Sequence, residues 1–174
     1  MARLVLLNGP PGVGKSTLAR RYADAHPPTL ALEIDTIRAM LGAWLDEPQR
    51  SGLTARKLAL AMATTHLEAG HDVLVPQLLT RREFVEELRA TATRSGAAFR
   101  ELTLMDERDA VVARAEARVE TNGFSAQALA AKQGHTLADA YDAFVDALTS
   151  RPEAEVIDAA PFDRAYAELE RLLT

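Results

Sequence analysis

A chain of 174 residues, 48% hydrophobic and 26% charged, is long enough to form one domain with a proper core. Its formal net charge of −5 argues against a nucleic-acid partner, although individual arginines could still form a local basic groove. Because the chain has no cysteine, disulfides, zinc–thiolate sites and thiol nucleophiles are excluded.

The first predicted element is a short buried strand at 3–8, whose core reads Leu4-Val5-Leu6-Leu7. Directly after it stands Gly9-Pro10-Pro11-Gly12-Val13-Gly14-Lys15-Ser16, which matches the phosphate-binding loop, or P-loop. A helix predicted over 15–25 follows, so strand, loop and helix come in the order that this motif requires. Backbone N–H groups of such a loop face phosphate oxygens, and the helix N-terminus adds its positive dipole end.

The loop therefore predicts an ATP site made of Gly9–Thr17. Lys15 is expected to reach the β- and γ-phosphates and to take part in catalysis, and the Ser16 hydroxyl is expected to bind Mg²⁺. The apolar run before the loop is shorter than the roughly 7–15 residues of a secretory signal core. No segment approaches the ~20 apolar residues of a membrane span. We therefore expect a cytoplasmic protein with no membrane partner.

The second strand is predicted over 29–34 and a helix over 36–45, with Asp35 between them. In an open α/β sheet, ligands bind outside the carboxyl ends of the strands. A carboxylate there can orient an acceptor hydroxyl or accept its proton, and it can help to hold Mg²⁺. Asp35 could also cap the helix that follows. Arg38 could hold the substrate or Asp35, or could lie on the surface.

A helix over 54–69 and a third strand over 72–76 come next. Gln77, directly after that strand, carries no charge, so Mg²⁺ would depend on Ser16, phosphates, water and Asp35. This loop should lie at the same sheet edge, and we expect Gln77 and Arg81 to line the acceptor pocket.

Thr80 and Glu83 resemble a capping box at the start of a helix predicted over 81–95. The fourth strand is predicted over 99–105 and ends before Asp106-Glu107. This pair fits the Walker B pattern of AAA-type ATPases locally. It is read more simply as the polar end of a strand and the acidic first turn of the next helix.

The next helix, predicted over 108–120, carries Arg114 and Arg118 on one face, since they are four residues apart. Asn122-Gly123 and Gly134 then break the helical pattern through 121–135, as an inert loop or a mobile flap. We expect a lid at about 114–135. A capping box at Thr136 and Asp139 opens a helix over 136–149. A fifth strand over 154–157 and a helix over 162–173 complete the chain, and Pro161 suits the first turn of that helix.

Alternating strands and helices predict an α/β fold, a three-layer α/β/α sandwich of the P-loop NTPase type. We expect a five-stranded, mainly parallel sheet with a small lid, all within a single domain over 1–174.

The P-loop followed by Glu33-Ile34-Asp35-Thr36-Ile37-Arg38 resembles the small P-loop kinase superfamily. That group includes shikimate, gluconate, adenylate and polynucleotide kinases, zeta-toxin-type kinases and chloramphenicol phosphotransferase. The resemblance implies that Asp35 acts on the acceptor and that Arg114 and Arg118 close over the phosphates as catalytic residues. Many relatives carry an acidic residue after strand three, where this chain has Gln77.

A GTPase is disfavoured because none of the three lysines is followed two places later by aspartate. An AAA-type ATPase is disfavoured because Asp106-Glu107 lies late in the chain, with no room beyond for a helical lid domain. The sequence predicts an ATP- and Mg²⁺-dependent phosphotransferase acting on a hydroxyl of a small molecule, as a monomer or homodimer. One alternative is a nucleoside, nucleotide or polynucleotide-end kinase. Another is an ATP-binding switch or assembly ATPase with a protein partner.

Overall fold

The computed structural model describes residues 1–118, 124–152 and 154–174. Within these residues a single sheet has the strand order β2-β3-β1-β4-β5, and all of its strand pairs are parallel. The strands are β1 (Arg3–Asn8), β2 (Leu30–Ala31), β3 (Val73–Pro76), β4 (Ala98–Met105) and β5 (Glu155–Asp158). The predicted α/β class with a five-stranded parallel sheet is confirmed.

Helices connect the strands and cover the sheet. In the described part of the chain they are α1 (Lys15–Ala25), α2 (Ile34–Ala39), α3 (Pro48–Glu68), α4 (Arg82–Arg94), α5 (Arg108–Glu116), α6 (Ala126–Lys132), α7 (Leu137–Thr149) and α8 (Phe162–Leu173).

The alternation of side chains along β1 divides the core between the two faces of the sheet. Leu4 and Leu6 pack with residues of α3 and α4 in one apolar cluster. Val5 and Leu7 pack with residues of α1, α5 and α8 in the other. All four side chains are fully buried, as expected for the central strand of a sheet that has helices on both faces. The predicted three-layer sandwich is therefore confirmed.

The second strand is shorter than the predicted 29–34. It spans only two residues, because it lies at the edge of the sheet and pairs with β3 alone. Helix α2 begins at Ile34, where Ile34 and Ile37 turn their side chains into the core at helical spacing. Asp35 consequently lies in the first turn of a helix rather than directly before one. The helix ends at Ala39 instead of 45.

Further boundaries also differ from the predictions. Helix α3 starts at Pro48, six residues before the predicted 54, because proline is well suited to the first helical position. Helix α6 forms within the predicted break at 121–135, and its N-cap Ser125 accepts a hydrogen bond from the Ala128 N–H. Helix α5 ends at Glu116 rather than at the predicted 120. The predicted Asn122-Gly123 break lies outside the described residues.

Only one of the two predicted capping boxes forms. Thr136 Oγ1 accepts from the Asp139 N–H at 3.0 Å, and Asp139 Oδ2 accepts from the Thr136 N–H at 2.7 Å. The box at Thr80 was wrong: the N-cap of α4 is Arg81, which makes no side-chain cap bond. The chain is extended there, with φ −100° and ψ 141°, so Thr80 lies one residue too early to cap the helix.

Candidate active site

The P-loop has close backbone contacts on two sides. Gly9 and Gly12 have φ values of 147° and 85°, which favour glycine. A Cβ atom at Gly9 would lie 2.6 Å from the Leu104 carbonyl oxygen, at the end of β4. A Cβ atom at Gly12 would overlap the Val111 carbonyl oxygen and lie 2.8 Å from the Ala115 Cβ, both in α5. The loop therefore keeps its shape by direct packing against β4 and α5.

Lys15 is folded back onto its own loop. Its Nζ donates to the carbonyl oxygens of Gly9 and Pro10, both at 2.8 Å. Burial lowers the pKa of Lys15 to about 7; the Asp35 carboxylate acts in the opposite direction, and the Arg118 cation adds to the lowering. A phosphate placed in the loop would give the ammonium group an anionic partner in place of two neutral carbonyls.

A buried polar network supports the loop from below. Asn8 is fully buried at the end of β1, and its Oδ1 accepts from the N–H groups of Gly9 and Leu79, both at 2.9 Å. Its Nδ2 donates to the Leu79 carbonyl oxygen at 3.1 Å and to Glu101 Oε1 at 3.0 Å. Glu101 Oε1 also accepts from Arg151 Nη1 at 2.8 Å. Sequence reasoning missed this network, although a polar Asn8 at the end of an apolar strand was a signal for it.

Asp35 lines the same cavity as the loop. Gln77 Nε2 donates to Asp35 Oδ1 over a long 3.4 Å, and within the described residues the buried Gln77 Oε1 finds no hydrogen-bond partner. Burial raises the pKa of the Asp35 carboxyl, and it outweighs the opposing effects of Gln77, Lys15 and Arg38. The carboxyl group is thus shifted toward the range of a general base.

A cavity of about 560 Å³ joins these groups. Most of the residues predicted for the site line it, namely Pro11, Gly12, Gly14, Lys15, Ser16, Thr17, Asp35, Arg38, Gln77, Arg114 and Arg118. Gly9, Pro10 and Val13 shape the loop without lining the cavity. Arg81 is exposed at the start of α4 and is not brought to the cavity wall, so its substrate role stays a prediction.

Arg38 is a buried residue of the cavity wall rather than a surface arginine. Its Nε donates to Ser51 Oγ at 3.0 Å, its Nη2 donates to the Pro48 carbonyl oxygen, and its guanidinium lies 5.6 Å from the centre of the Trp44 ring. Arg56, one helix further on in α3, also lines the cavity. No sequence pattern pointed to Arg56, because it is one of several charged residues on a long helix.

Arg114, predicted to belong to a lid, is held beside the loop by two hydrogen bonds. Arg114 Nε donates to the Gly12 carbonyl oxygen at 3.1 Å, and its Nη2 donates to Asp106 Oδ2 at 2.5 Å. Burial by itself would raise the pKa of Asp106, but Arg114 and the Glu107 N–H together hold it below its usual value. Arg118 also lines the cavity, two residues beyond the end of α5.

The Asp106-Glu107 pair is engaged in local structure. Glu107 is the N-cap of α5, and its Oε2 accepts from the Ala110 N–H at 2.9 Å. Asp106 Oδ1 accepts from the Glu107 N–H at 2.7 Å while Oδ2 accepts from Arg114. These contacts are those of a polar strand end followed by the acidic first turn of a helix.

Comparison with known proteins places this site in a family. A family model described as an AAA domain matches residues 4–144, a span that includes the P-loop, Asp35 and both lid arginines. The chain belongs to this AAA-domain family. No curated protein matches the chain.

Three solved structures share this fold. The Deinococcus radiodurans tunicamycin resistance protein superposes with a TM-score of 0.65 at 16% identity, covering 99% of this chain and 96% of its own. A gluconokinase from Sinorhizobium meliloti gives 0.58 at 17%, covering 98% and 93%. Shikimate kinase from Bacteroides thetaiotaomicron gives 0.59 at 16%, covering 99% and 98%. The AAA-domain chain therefore has the fold of the small P-loop kinases, as its sequence predicts.

Among the described residues of this AAA-domain chain, no helix combines the length and the apolar character needed to cross a membrane. The described residues also contain no cluster of three or more histidine, aspartate or glutamate side chains suited to hold a metal ion by themselves.

Proposed function

We propose that this AAA-domain protein is an ATP- and Mg²⁺-dependent phosphotransferase that moves the γ-phosphoryl group of ATP to a hydroxyl group of a small molecule. The observation that carries the proposal is that Lys15 and Asp35 line one cavity and lie near enough to each other for their charges to interact. Lys15 belongs to the donor side, and Asp35 has an open volume beside it for an acceptor. Phosphoryl transfer depends mainly on positioning and electrostatic stabilisation, so this small set of groups suffices.

We assign to Asp35 the role of orienting the acceptor hydroxyl and accepting its proton. A raised pKa brings a carboxylate nearer to the working pH, which favours its action as a general base. The unpaired Gln77 Oε1 beside it offers an acceptor for a second donor group of the substrate. Arg114 and Arg118 are assigned to the phosphates as the transferred group develops charge on its oxygens.

The residues present suit Mg²⁺. This ion keeps several waters and is usually held by one or two protein oxygens together with phosphate oxygens, so a complete protein cage is not needed. Ser16 supplies a hydroxyl and Asp35 a carboxylate in the same cavity, while Gln77 can bind water near the ion. When bound, Mg²⁺ supplies neutralisation of charge between the β- and γ-phosphates.

The two alternatives find less support. A polynucleotide-end kinase would need a basic groove near Arg81 and Arg82, but Arg82 Nη2 donates to the Ser150 carbonyl oxygen and Arg81 lies off the cavity wall. An ATP-binding switch has no use for a free volume at its acceptor carboxylate, whereas Asp35 borders a cavity of about 560 Å³.

Two substitutions test the proposal with a panel of hydroxyl compounds, ATP and Mg²⁺, read by mass spectrometry for the gain of one phosphoryl group. Lys15→Ala should abolish ATP binding or turnover. Asp35→Asn should keep ATP binding and slow transfer by about 10²- to 10⁴-fold, the usual effect of losing a general base.

Asp24→Asn, which removes an exposed carboxylate of α1, is the matched control and should transfer at the parent rate. Transfer at the parent rate by Asp35→Asn would contradict the role given to Asp35. Steady ATP loss without a phosphorylated product, accelerated by a protein partner, would instead favour the switch.

A further inference from the structure

Two arginines meet at the acceptor end of the cavity. Arg38, one turn beyond Asp35 in α2, and Arg56 in α3 both line the cavity wall. The Arg38 guanidinium is fixed by Ser51 and the Pro48 carbonyl oxygen, so it cannot swing away from its neighbour. Burial lowers the pKa of Arg38, the Asp35 carboxylate opposes this, and the Arg56 cation adds a smaller lowering.

Nothing among the described residues fully balances this pair. Asp35 is the one carboxylate of the described cavity wall, and neither Arg38 nor Arg56 forms an ion pair within the described residues. Lys15 and the lid arginines belong to the ATP side. Two guanidinium groups facing one carboxylate leave a single positive charge at the acceptor end, and one anionic group of an acceptor would neutralise it.

The orientation of Arg56 suits such an anion. Its guanidinium lies over the Phe84 ring, with the Cζ atom 4.8 Å from the ring centre. A guanidinium that stacks through its face keeps its in-plane N–H donors free, and these donors match a carboxylate in a two-point contact. Arg56 thus presents N–H groups at the cavity wall that can donate hydrogen bonds to an anion.

The facing wall of the cavity is apolar. Helix α6 contributes Ala126, Leu129, Ala130 and Gln133, which share one face because they recur at helical spacing. No residue of α6 is fully buried, so this mostly apolar face is only partly covered by protein. Leu78 lines the same cavity from the loop after β3. An apolar ligand body would cover the exposed part of this surface.

Two stacked aromatic rings link the segment before α6 to Arg38. Phe124, just before α6, stacks on Trp44 with ring centres 5.2 Å apart and an interplanar angle of 27°. Trp44 in turn lies under the Arg38 guanidinium. The Phe124–Trp44 stack therefore connects the start of α6 to the Arg38 side of the cavity, which Asp35 also lines.

From this arrangement we propose that the acceptor is a hydroxyl compound with one acidic group and an apolar body. Its hydroxyl lies at Asp35, its acidic group binds the Arg38–Arg56 pair, and its body packs on the α6 face around Leu129. The inference rests on the proposed function, since it describes the acceptor of that same site.

Four matched probes separate the two features. 3-Phenyllactate carries an acid, a hydroxyl and an apolar body; lactate lacks the apolar body; 3-phenylpropane-1,2-diol lacks the acid; and propane-1,2-diol lacks both. Each is titrated into the full chain with Mg²⁺ and a non-hydrolysable ATP analogue. Trp44 is the sole tryptophan of the chain, so its fluorescence reports binding at this end of the cavity. We expect 3-phenyllactate to bind most tightly and propane-1,2-diol least tightly.

Variants assign each feature to a residue. Arg56→Gln should weaken the binding of the two acids by about 10- to 100-fold, the usual range for a charge-assisted hydrogen bond. The affinity for the two diols should stay unchanged. Lys57→Gln removes the same charge from the next, exposed position of α3 and should change neither. Leu129→Gln should weaken the binding of the two phenyl compounds and leave the binding of lactate and propane-1,2-diol unchanged.

Several results would overturn the inference: no probe binding, equal binding of acids and diols, or no effect of Arg56→Gln. A loss of ATP affinity in Leu129→Gln with unchanged phenyl binding would assign the apolar wall to adenine and overturn it as well. The proposed function fails separately. If the probes follow the expected pattern but no hydroxyl compound is ever phosphorylated, the acidic subsite stands and the phosphotransferase does not. If a neutral polar alcohol is phosphorylated equally by the parent and Arg56→Gln, phosphotransfer stands and the subsite does not.

Discussion

Lys15 is the residue whose charge state links the free protein to its ATP complex. In the free protein it donates to two carbonyl oxygens of its own loop, and burial lowers its pKa to about 7. Lys15 in the free protein therefore loses its proton at a much lower pH than an exposed lysine does. Bound phosphates favour the ammonium form, so the pKa of Lys15 is higher in the complex than in the free protein.

We therefore expect ATP affinity to fall as the pH rises above 7. Between the free and bound pKa values, binding takes up a proton, and affinity drops by up to about tenfold per pH unit. Below pH 7 both states are protonated, and the contribution of Lys15 to the pH dependence vanishes. Calorimetry at pH 8 in buffers with different heats of ionisation measures the uptake directly.

Lys15→Arg is the control for this prediction, because arginine stays charged throughout this range. Its ATP affinity should show no fall of this kind between pH 7 and pH 8.5. An absence of proton uptake by the parent protein at pH 8 would contradict the lowered pKa.

At the residue scale, sequence reasoning succeeded where the signal is local. The P-loop is one continuous segment, and Asp35 follows the second strand closely enough to reach the predicted edge of the sheet. Arg56 and Glu101 could not be predicted as site or support residues. Their partners are distant in sequence, as in the Asn8–Glu101 contact with a separation of 93 residues.

At the scale of elements, helix ends give a direct contrast between two threonines. Thr136 and Thr80 both precede an acidic residue by three positions, but only Thr136 caps its helix. Thr136→Ala should destabilise the protein by about 0.5–2 kcal/mol, because an N-cap hydrogen bond is lost. Thr80→Ala is the matched control and should leave the free energy of unfolding nearly unchanged. Urea denaturation followed by circular dichroism measures both, and equal effects would contradict the cap assignment.

The packing of α5 on the P-loop makes a second prediction for elements. Gly12→Ala meets both an unfavourable φ of 85° and a steric overlap with Val111 and Ala115. Gly96→Ala meets only the φ of 66°, with no atom within 4 Å, and should cost about 1–2 kcal/mol. We expect Gly12→Ala to destabilise more and to lose ATP binding, which Gly96→Ala retains. Retention of full ATP affinity by Gly12→Ala would show that α5 does not control the loop.

Elements that the sequence placed poorly are those whose form depends on distant partners. The second strand has apolar residues through Ile34, but the strand itself covers only Leu30–Ala31, and backbone pairing with β3 ends with the Leu32 N–H donating to the Leu74 carbonyl oxygen at 2.8 Å. The apolar Ile34 instead begins α2 and packs into the core from that helix. Helix α6 is rich in alanine, with strong helix propensity, yet the glycines on either side favoured a loop. The sequence does not show what its apolar face contacts, because the cavity that this face lines is built from distant parts of the chain.

At the scale of the whole molecule, strand order explains why the site forms where it does. The P-loop follows β1, and Gln77 follows β3, which is the neighbour of β1 in the sheet. The carboxyl ends of these parallel strands meet at one edge, and α2 brings Asp35 to the same edge. Asn8 joins the two loops there through Gly9 and Leu79. The proposed phosphate and acceptor sites thus share one edge of the sheet.

The buried Glu101–Arg151 pair ties this edge to the segment before β5. The two side chains are 10% and 3% exposed, and Glu101 also accepts from Asn8 beneath the P-loop. Arg151→Met leaves the Glu101 carboxylate buried without its cation, which should cost about 3–5 kcal/mol of unfolding free energy. Because Asn8 positions the Gly9 N–H, we also expect weaker ATP binding in the fraction that remains folded.

Arg171→Met is the matched control, because Arg171 pairs with Glu168 on the exposed face of α8. Its denaturation midpoint should stay at the parent value, since exposed pairs contribute little. Adding Glu101→Leu to Arg151→Met should restore part of the stability by removing the unpaired carboxylate, but not all of it, because Asn8 Nδ2 then loses an acceptor. Urea denaturation of Arg151→Met, of Glu101→Leu and of the double variant separates these contributions. If Arg151→Met is as stable as the parent, the ion pair does not tie the β5 side of the sheet to the phosphate loop.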